Sequence, residues 1–337
     1  MTPLPIIADC PRGIGECKMK IMLILSILVV IGLLFLGVGY VFFRFAISRD
    51  GLTMPGKPKL ETGEADLRAW KKYEAVHQKD YSWCVSQPME EVNLTSFDGL
   101  RLTGHYFACE HPKRIVLLAH GYRGQAFHDF ASVTPWLHEQ DCDLLLINQR
   151  SMGSSEGKYI TFGAKEKKDI RSWCDYLESR NPDHLPIYLY GISMGCATVL
   201  LSTGENLPGD IRGIIADCGY SSVEEIFASQ VSNSFHLKPY PLMYAMRFWC
   251  AVLARFKFDE ADVKKTLRTN TIPVLFIHGS QDHFVYPDNT MRNYEANASE
   301  KTLVMIEGAI HASSYNEDTE RYQCSVTALF QACESQH

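Results

Sequence analysis

The sequence has 337 residues, of which 46% are hydrophobic and 21% are charged, and its formal net charge is −6. That length suits one α/β domain with a large core better than two small domains. The net negative charge, and the lack of a basic run interleaved with aromatic residues, argue against a nucleic-acid-binding surface, so we expect no nucleic acid partner.

A long apolar segment follows an N-terminal tail of residues 1–20. Residues 21–43 carry no charge, and about 20 such residues in a helix cross the hydrocarbon core of a bilayer. We therefore predict a single membrane-spanning helix that stays attached to the protein. The alternative is a cleaved secretory signal with its small-residue site at residues 37–39, although the sequence remains apolar beyond that site.

The side of the membrane on which the rest of the chain lies is only weakly indicated. Basic residues flank the apolar segment on both sides, and they are Arg12, Lys18 and Lys20 before it and Arg44, Arg49, Lys57 and Lys59 after it. The positive-inside rule therefore gives nearly a tie. The 11 cysteines are an odd number without the spacing of a disulfide framework, which favours reduced thiols and, slightly, the cytoplasmic face.

Residues 44–89 are polar, contain glycine and proline, and include a helical stretch, so we predict a linker with a helix that packs onto the next domain. That domain is expected to span residues 90–335. It starts within residues 92–107 with two alternating stretches around Asp98 and Gly99, which predict an antiparallel hairpin.

Continuous apolar runs follow the hairpin, mostly separated by polar segments of helical length. They are residues 115–118, 144–147, 187–190, 214–216, 274–277 and 303–306. Such runs predict strands buried on both faces, so the fold class is α/β, with a mostly parallel sheet of about eight strands flanked by helices. Residues 221–270 are too long for one crossover helix and rich in aromatic residues, which predicts a helical lid with an apolar wall.

The run from residue 186 to residue 195 predicts a buried strand that turns sharply through Ser193 into a helix. Gly191 and Gly195 remove the Cβ atoms that would collide in such a turn. A serine hydroxyl becomes a good nucleophile when a base takes its proton and donors accept the oxyanion. The three residues also fall into this register by chance in about one such chain in ten, so the motif needs partners elsewhere.

Candidate partners stand directly after other predicted strands, where the functional loops of a parallel sheet lie. Asp282 follows the strand at residues 274–277, and His311 follows the strand at residues 303–306. The order along the chain is then serine, aspartate, histidine. Asp217, which ends an earlier strand, is the alternative acid.

Three further motifs accompany this order, and they are His120-Gly121-Tyr122, residues 148–155 and residues 278–282. Together with the serine turn, they make residues 90–335 resemble the α/β-hydrolase superfamily, and more narrowly the serine-aminopeptidase-type hydrolases, which include membrane-anchored members. The resemblance implies an α/β-hydrolase fold with a helical lid. Where these hydrolases usually show Asp-x-Arg-Gly, this chain departs from the pattern with Asn148 and Ser151.

The resemblance also implies a role for individual residues. Ser193 attacks an acyl carbonyl, His311 takes the serine proton, and Asp282 orients and stabilises the imidazole. The backbone N–H groups of Tyr122 and Met194 form the oxyanion hole.

These roles predict a membrane-anchored serine hydrolase that cleaves ester, thioester or amide bonds of small acyl substrates, lipid-like ones included, through an acyl-enzyme intermediate. Carboxylesterase or lipase-like action is the leading expectation, and a serine peptidase with the same triad is an alternative. An alternative of another class is a catalytically silent, membrane-anchored binding or scaffold domain. The sequence contains neither a Cys-x-x-Cys pair nor a His/Cys cluster with zinc spacing, so we expect no metal and no cofactor.

Overall fold

The computed structural model describes residues 13–51 and 70–335 of the chain. Parts of two predicted segments lie outside the described residues, namely residues 1–12 of the tail and residues 52–69 of the linker. The described part contains a long N-terminal helix and an eight-stranded sheet with helices on both faces.

The centre of the molecule is a single sheet of eight strands. The strands are β1 (Glu90–Thr95), β2 (Arg101–Phe107), β3 (Arg114–Ala119), β4 (Cys142–Asn148), β5 (Ile187–Ile192), β6 (Ile211–Asp217), β7 (Val274–Gly279) and β8 (Lys301–Ile306). Their order in the sheet is β1-β2-β4-β3-β5-β6-β7-β8, with β1-β2 and β2-β4 paired antiparallel and the other neighbours parallel. The predicted mostly parallel sheet, with its N-terminal hairpin, is therefore confirmed.

The parallel strands are apolar throughout because both of their faces are covered. On β3, Leu117 belongs to one hydrophobic cluster and Leu118 belongs to the other, and both side chains are fully buried. Successive residues of a strand point to opposite faces, so each buried face needs its own apolar set. Burying one such leucine stabilises the fold by about 1.5–3 kcal/mol, which is why these runs tolerate few polar residues.

Helices cover the sheet and extend the molecule at its N-terminal end. They are α1 (Gly13–Ala46), α2 (Glu74–Ser86), α3 (Ala126–Asp129), α4 (Thr134–Glu139), α5 (Glu166–Ser179), α6 (Met194–Ser202), α7 (Val223–Phe235), α8 (Leu242–Trp249), α9 (Val263–Leu267), α10 (Asp288–Ala296), α11 (Ser314–Glu317) and α12 (Thr319–Glu334). A π-helical turn at Cys250–Ala254 and a 3₁₀ turn at Phe258–Ala261 join α8 to α9. The segment predicted as a lid, residues 221–270, thus contains α7, α8, both turns and α9.

One helix of the described chain, α1, is long and apolar enough to cross a membrane. Within Lys18–Ala46 the most apolar window has a mean hydropathy of 3.1, and none of that window is buried. A segment of this length and composition suits either a membrane anchor or a signal sequence. The helix ends at Ala46, beyond the predicted end of the span at residue 43.

The end of α1 and the residues after it pack onto the domain instead of forming a loose linker. Phe43 and Ile47 are fully buried. Ser48 forms an isolated β-bridge with Tyr159. The linker predicted from residue 44 therefore begins with a segment that belongs to the domain, because its apolar side chains are removed from water there.

Helix α8 lies alongside α1. Gly39 of α1 meets Ala245 of α8 so closely that a Cβ atom on the glycine would collide with the alanine side chain. The indole nitrogen of Trp249 donates to the Leu36 carbonyl oxygen at 2.8 Å, and the Trp249 ring lies 5.2 Å from that of Tyr40. The apolar N-terminal helix and the lid segment therefore form one packed unit.

Candidate active site

Ser193 lies at the sharp turn between β5 and α6. Its backbone has φ 56° and ψ −115°, a conformation that a non-glycine residue adopts only when the surrounding structure holds it there. A Cβ atom on Gly191 would collide with Gly195, and one on Gly195 would collide with the Ala119 carbonyl, so the turn requires both glycines. The turn places the serine at the carboxyl edge of the sheet.

The structure brings the predicted side chains of Ser193, His311 and Asp282 into one hydrogen-bonded line. His311 Nε2 lies 2.9 Å from Ser193 Oγ, and His311 Nδ1 lies 2.7 Å from Asp282 Oδ2. With its Nδ1–H donated to the carboxylate, a neutral imidazole presents its Nε2 lone pair to the serine hydroxyl. The hydroxyl proton thus has a short path to a base that has a carboxylate behind it.

The Asp282 carboxylate is buried and accepts several hydrogen bonds. Its Oδ1 accepts the backbone N–H groups of Phe284 and Val285 at 2.9 Å each. Burial by itself would raise the pKa of this carboxyl, but the charge of His311 and hydrogen bonds from His278 and His311 hold the pKa well below its usual range. Asp282 is therefore ionised at neutral pH, as the partner of an imidazolium must be.

His278 has no role in the sequence-based prediction, and the structure places it against Asp282. It is fully buried, with Nε2 lying 3.1 Å from Asp282 Oδ2 and 2.8 Å from the Val285 carbonyl oxygen. A carbonyl oxygen only accepts, so Nε2 carries a hydrogen, and the Thr290 hydroxyl donates to Nδ1 at 2.7 Å. His278 thus holds the carboxylate as a second donor. Its position at the start of the motif that ends at Asp282 is the signal that could have indicated this.

Asp217, the alternative acid, has other partners. Its carboxylate accepts from the Tyr322 hydroxyl at 3.0 Å and from the Ser314 hydroxyl at 3.4 Å. Burial raises the pKa of Asp217 to about 6, although the hydrogen bond from Tyr322 opposes that shift. The carboxylate that accepts from His311 Nδ1 is that of Asp282, so the geometry favours Asp282 as the acid.

The loop after β3 lies beside the nucleophile. A Cβ atom on Gly121 would lie 3.5 Å from the Cβ atom of Ser193. His120 is fully buried, and its Nδ1 donates to the Gly121 carbonyl oxygen at 2.8 Å while its Nε2 accepts the Gln149 backbone N–H at 3.1 Å. The Gly121 N–H donates to Asp129 Oδ2 at 2.8 Å. The side chains of His120 and Asp129 therefore hold the backbone of this loop in place beside Ser193.

Tyr122 and Met194, whose backbone N–H groups are the predicted oxyanion donors, line the same pocket as Ser193. The side chain of Tyr122 extends to the end of α1, where its hydroxyl donates to the Ala46 carbonyl oxygen at 2.8 Å. The loop that carries one predicted oxyanion donor is thus bonded directly to the N-terminal helix.

Arg123 strengthens this connection. Its guanidinium donates at 2.7–3.1 Å to the carbonyl oxygen of Phe45, in the last turn of α1, and to those of Ser48 and Arg49 just after the helix. The last carbonyl groups of a helix have no partner within the helix, and a cation placed there satisfies them and interacts favourably with the helix dipole. The sequence contains no signal for these contacts, because the partners lie 74–78 residues apart along the chain.

An apolar pocket opens onto Ser193. Its walls come from α1, the loop after β3, helices α7 and α8 of the lid segment, and the loop after β7. Of its 16 lining residues, only Ser193 and Gln230 are neither apolar nor aromatic. The wall from α1, made of Phe42, Phe45 and Ala46, has no counterpart in the sequence-based prediction.

The lid segment contributes some of its aromatic rings to the pocket and leaves others outside. Phe227 and Phe235 line the pocket. Tyr244 and Phe248 point outward and are 61% and 45% exposed. The aromatic residues of this segment therefore lie on two surfaces, one facing the serine and one facing away from the domain.

The motif at residues 148–155 has a structural role. Arg150 is 2% exposed, and it donates to both carboxylate oxygens of Asp169 at 2.6 Å and to those of Asp98 at 3.0–3.1 Å. Ser151 stands where the related hydrolases show glycine, and its φ of 63° lies in the region that favours glycine. Ser151 thus adopts a glycine-type backbone conformation, at a position outside the triad.

One cluster of metal-ligating residue types lies within the described chain. Ligand atoms of Cys218, Asp282 and His311 lie within 4.8 Å of one another. Asp282 and His311 are already bonded to each other in the triad, and burial raises the pKa of the Cys218 thiol, which therefore keeps its proton. These residues fit the triad better than they fit a metal ion.

Solved structures of other proteins share this architecture. The esterase Pf2001 of Pyrococcus furiosus superimposes with a TM-score of 0.59 at 20% identity, over 76% of this chain and 95% of that one. The acylaminoacyl peptidase of Pyrococcus horikoshii gives a TM-score of 0.56 at 14% identity, over 73% of this chain and 41% of that one. Likeness at such identities concerns the fold. With this sheet order and this serine turn, the chain belongs to the α/β-hydrolase superfamily.

Sequence comparisons find one family model and several relatives that are similar to part of the chain. Residues 110–248 match a family model described as serine aminopeptidase, S33. The chain is 25% identical over 247 residues to the uncharacterized protein YqkD of Bacillus subtilis (strain 168), covering 72% of this chain and 81% of that protein. It is 24% identical over 238 residues to the uncharacterized protein YfhR of Escherichia coli (strain K12), covering 68% of this chain and 75% of that protein. Neither name states an activity.

Proposed function

We propose that this protein is a serine hydrolase that cleaves carboxylic esters through an acyl-enzyme intermediate. The observation that carries the proposal is the line from Ser193 Oγ through His311 to Asp282, with heavy-atom distances of 2.9 and 2.7 Å. A serine hydroxyl without a base is a poor nucleophile. Here the hydroxyl faces an imidazole whose other nitrogen is held by an ionised carboxylate, which is the arrangement that general-base activation requires.

Acylation follows from these positions. Ser193 Oγ attacks the acyl carbonyl carbon while its proton passes to His311 Nε2. The negative oxygen that forms is stabilised by the backbone N–H groups of Tyr122 and Met194, and Asp282 stabilises the imidazolium. When the tetrahedral intermediate collapses, the bond to the leaving alcohol breaks and His311 returns the proton to the alcohol oxygen.

Deacylation uses the same groups in the same order. A water molecule gives its proton to His311 Nε2 and attacks the carbonyl carbon of the acyl-serine. The second tetrahedral intermediate collapses, Ser193 regains its proton from the imidazolium, and the carboxylic acid leaves. The cycle needs no group beyond those named, so ester and thioester substrates are handled by one machinery.

The lining of the pocket favours esters and thioesters over peptides with a free amino terminus. Among the residues that the structure describes, those lining the pocket include no aspartate and no glutamate. An aminopeptidase needs a carboxylate near the scissile bond to bind the positively charged amino group of its substrate. An apolar pocket suits the hydrocarbon part of an acyl group instead. Serine peptidase activity, which the description of the matching family names, is the alternative.

Helix α1 holds the enzyme to a membrane as an uncleaved anchor. Its end supplies pocket residues and receives hydrogen bonds from Tyr122 and Arg123, so the helix continues directly into the active-site domain. Cleavage after Gly39 would uncover the face of α8 that packs on Gly39 and Leu36. Large uncovered apolar patches are rare on soluble monomers, so these contacts support an anchor over a signal sequence.

A panel of p-nitrophenyl esters run beside aminoacyl naphthylamides on the detergent-solubilised full-length protein tests the proposal. We expect ester hydrolysis to exceed naphthylamide hydrolysis and to fall at least about 10³-fold in Ser193→Ala, while the control Ser202→Ala on the same helix retains it. Faster cleavage of naphthylamides would establish the peptidase alternative. Folded protein that cleaves neither substrate class would establish a binding or scaffold domain.

A further inference from the structure

We infer that the last turn of α1 forms a working wall of the substrate site, and that the substrate is an ester or thioester with a long apolar chain that enters from the bilayer. The inference rests on the proposed hydrolase function and names its substrate class. It is carried by the depth of α1 in the membrane, the lining of the pocket and the exposed face of α8.

The exposed side chains of α1 fix where the bilayer lies along the helix. Exposed apolar side chains run from Ile21, 51% exposed, to Val41, 40% exposed. The charged residues Lys20 and Arg44 stand outside this stretch on either side. A helix rises about 1.5 Å per residue, so the stretch spans about 30 Å, which is the thickness of the hydrocarbon core. Phe42 and the residues after it therefore lie at the level of the lipid headgroups.

The pocket reaches the surface next to this level. Four of its lining residues, Phe42, Tyr122, Phe235 and Phe284, are half-buried, and the others are buried. The rings of Phe42 on α1 and Phe235 on α7 lie 5.0 Å apart, edge to face. The mouth of the pocket is thus ringed by aromatic side chains, and one of them belongs to the helix that leaves the bilayer at that point.

Helix α8 and the π-helical turn add a lipid-facing surface beside the mouth. Tyr244, Phe248 and Val252 are 61%, 45% and 52% exposed. They recur every four residues and therefore form one stripe along the helix. Because Trp249 bonds to Leu36, α8 lies alongside the part of α1 that is inside the hydrocarbon core. A row of exposed apolar and aromatic side chains at this depth faces the bilayer, so the occupant of the stripe is lipid.

These positions define the chemistry of the ligand. Within the described part of the chain, the lining carries no charged side chain, so the part of the substrate that enters is an uncharged hydrocarbon chain. The hydrocarbon chain of the substrate passes from the bilayer into the pocket between α1 and α7 with little exposure to water. That path favours a substrate with a long hydrocarbon chain over one with a short chain. The scissile carbonyl then meets Ser193 near headgroup depth, where ester groups of membrane amphiphiles also lie.

The first test adds bulk to the pocket wall that α1 provides and so narrows the pocket. Full-length protein in phosphatidylcholine vesicles is assayed with p-nitrophenyl palmitate in the bilayer and with p-nitrophenyl acetate in the buffer. In Ala46→Leu we expect the palmitate-to-acetate ratio of kcat/KM to fall about tenfold, because added bulk in an apolar pocket discriminates by chain size. Val38→Leu, on the exposed part of α1, should leave the ratio unchanged.

A second variant keeps this test decisive if Ala46→Leu disturbs the end of α1. Phe42→Ala removes a half-buried ring and adds no bulk, so it should fold and should also lower the ratio about tenfold. Equal effects on both esters, or no effect on palmitate, in both variants would overturn the inference.

The third test addresses the face of α8. Phe248→Asp places a charge in the proposed lipid contact, and we expect it to lower the palmitate-to-acetate ratio at least about fivefold. The matched control is Val85→Asp, which adds the same charge at an exposed valine of α2 outside the pocket and the stripe. An unchanged ratio in Phe248→Asp, or an equal fall in Val85→Asp, would contradict entry from the bilayer.

The proposed hydrolase function is tested separately, by the acetate activity alone. Acetate hydrolysis that disappears in Ser193→Ala establishes the hydrolase whatever the chain-length ratios show. If that activity is present and the ratios do not respond to Ala46→Leu, Phe42→Ala or Phe248→Asp, only the inference about α1 and the bilayer fails.

Discussion

Asp282 and Asp217 are two buried carboxylates near His311, and their surroundings shift their pKa values in opposite directions. The charge and hydrogen bonds of the histidines outweigh burial at Asp282 and hold its pKa low. At Asp217 burial dominates and raises the pKa to about 6, although the hydrogen bond from Tyr322 and the charges of His278 and His311 oppose the shift. The histidines stabilise the ionised form of Asp282, which is the form that stabilises an imidazolium, so the environment as well as the geometry favours Asp282.

We expect Asp282→Asn to lower kcat for p-nitrophenyl acetate about 10⁴-fold, because an amide in place of the carboxylate favours the wrong tautomer of His311. Asp217→Asn should lower kcat less than about tenfold, since its carboxylate accepts from Tyr322 and Ser314 instead. Steady-state kinetics of both variants at neutral pH make the comparison. A larger loss in Asp217→Asn would mean that the earlier strand supplies the acid.

The raised pKa of Asp217 also makes a prediction about stability. The carboxyl titrates near 3.8 in the unfolded chain and at about 6 in the folded chain, where burial dominates. The folded state therefore binds more protons between these values, so the free energy of unfolding falls as pH rises through this window and stays lower above it. Because asparagine does not ionise, Asp217→Asn should restore up to about 3 kcal/mol of the free energy of unfolding that is lost at higher pH.

Thermal unfolding of the detergent-solubilised protein at about pH 4 and about pH 8 measures this effect. Asp217→Asn should raise the unfolding midpoint relative to wild type more at the higher pH. The exposed Asp183→Asn serves as the control for a general effect of removing a negative charge. A gain that is equal at the two pH values, or larger at the lower one, would contradict the assignment.

Arg123 is a positioning residue rather than a catalytic one. It ties the loop that carries the Tyr122 N–H group to the carbonyl oxygens of Ser48 and its neighbours. Without the tie, we expect the oxyanion donor to be misplaced, so that Arg123→Ala lowers kcat for p-nitrophenyl acetate about tenfold with KM within about twofold. Arg123→Lys should recover part of the loss. A normal kcat in Arg123→Ala would show that the loop holds its position without α1.

At the scale of elements, one buried arginine joins three segments of the fold. Arg150, directly after β4 and the following turn, bonds Asp169 on α5 and Asp98 in the turn between β1 and β2. Removing one partner of a buried ion pair leaves a charge without compensation. Arg150→Met should therefore lower the free energy of unfolding by about 3–5 kcal/mol.

The exposed pair of Arg171 and Asp175 on α5 provides the matched control. Arg171→Met should change the free energy of unfolding by less than about 1 kcal/mol, because a surface pair gains little over its hydrated state. Denaturant unfolding of the two variants gives both values. Equal effects would show that the Arg150 cluster is not the structural tie described above.

The strands could be predicted from the sequence because each central strand is buried on both faces and so appears as an unbroken apolar run, as at residues 144–147. The site could be placed because Asp282 and His311 directly follow such strands. The role of the end of α1, and which faces of the lid segment point inward or outward, could not be predicted from the sequence. Helical periodicity shows that a face is apolar but not which surface covers it. Phe42 and Phe248 carry the same local signal and have opposite surroundings.

At the scale of the whole molecule, the N-terminal helix and the hydrolase domain form one packed unit. The short connection at residues 47–51 packs against the domain. Contacts of Arg123, Trp249 and the pocket wall hold α1 in place at three positions. Each of these contacts joins segments that are distant along the chain, so local patterns could not reveal them. With α1 as the proposed anchor, such a unit holds the mouth of the pocket at a fixed height relative to the bilayer, which a flexible linker would not do.

The central claim is that the Ser193 hydroxyl is made reactive by His311 and Asp282. Labelling of the full-length protein with a fluorophosphonate, read by mass spectrometry, tests it most directly. We predict a single adduct on Ser193, no adduct in Ser193→Ala, and labelling at least about 10³-fold slower in His311→Ala, because base and nucleophile act as one unit. Folded protein that is not labelled, or is labelled at an undiminished rate in His311→Ala, would contradict the account.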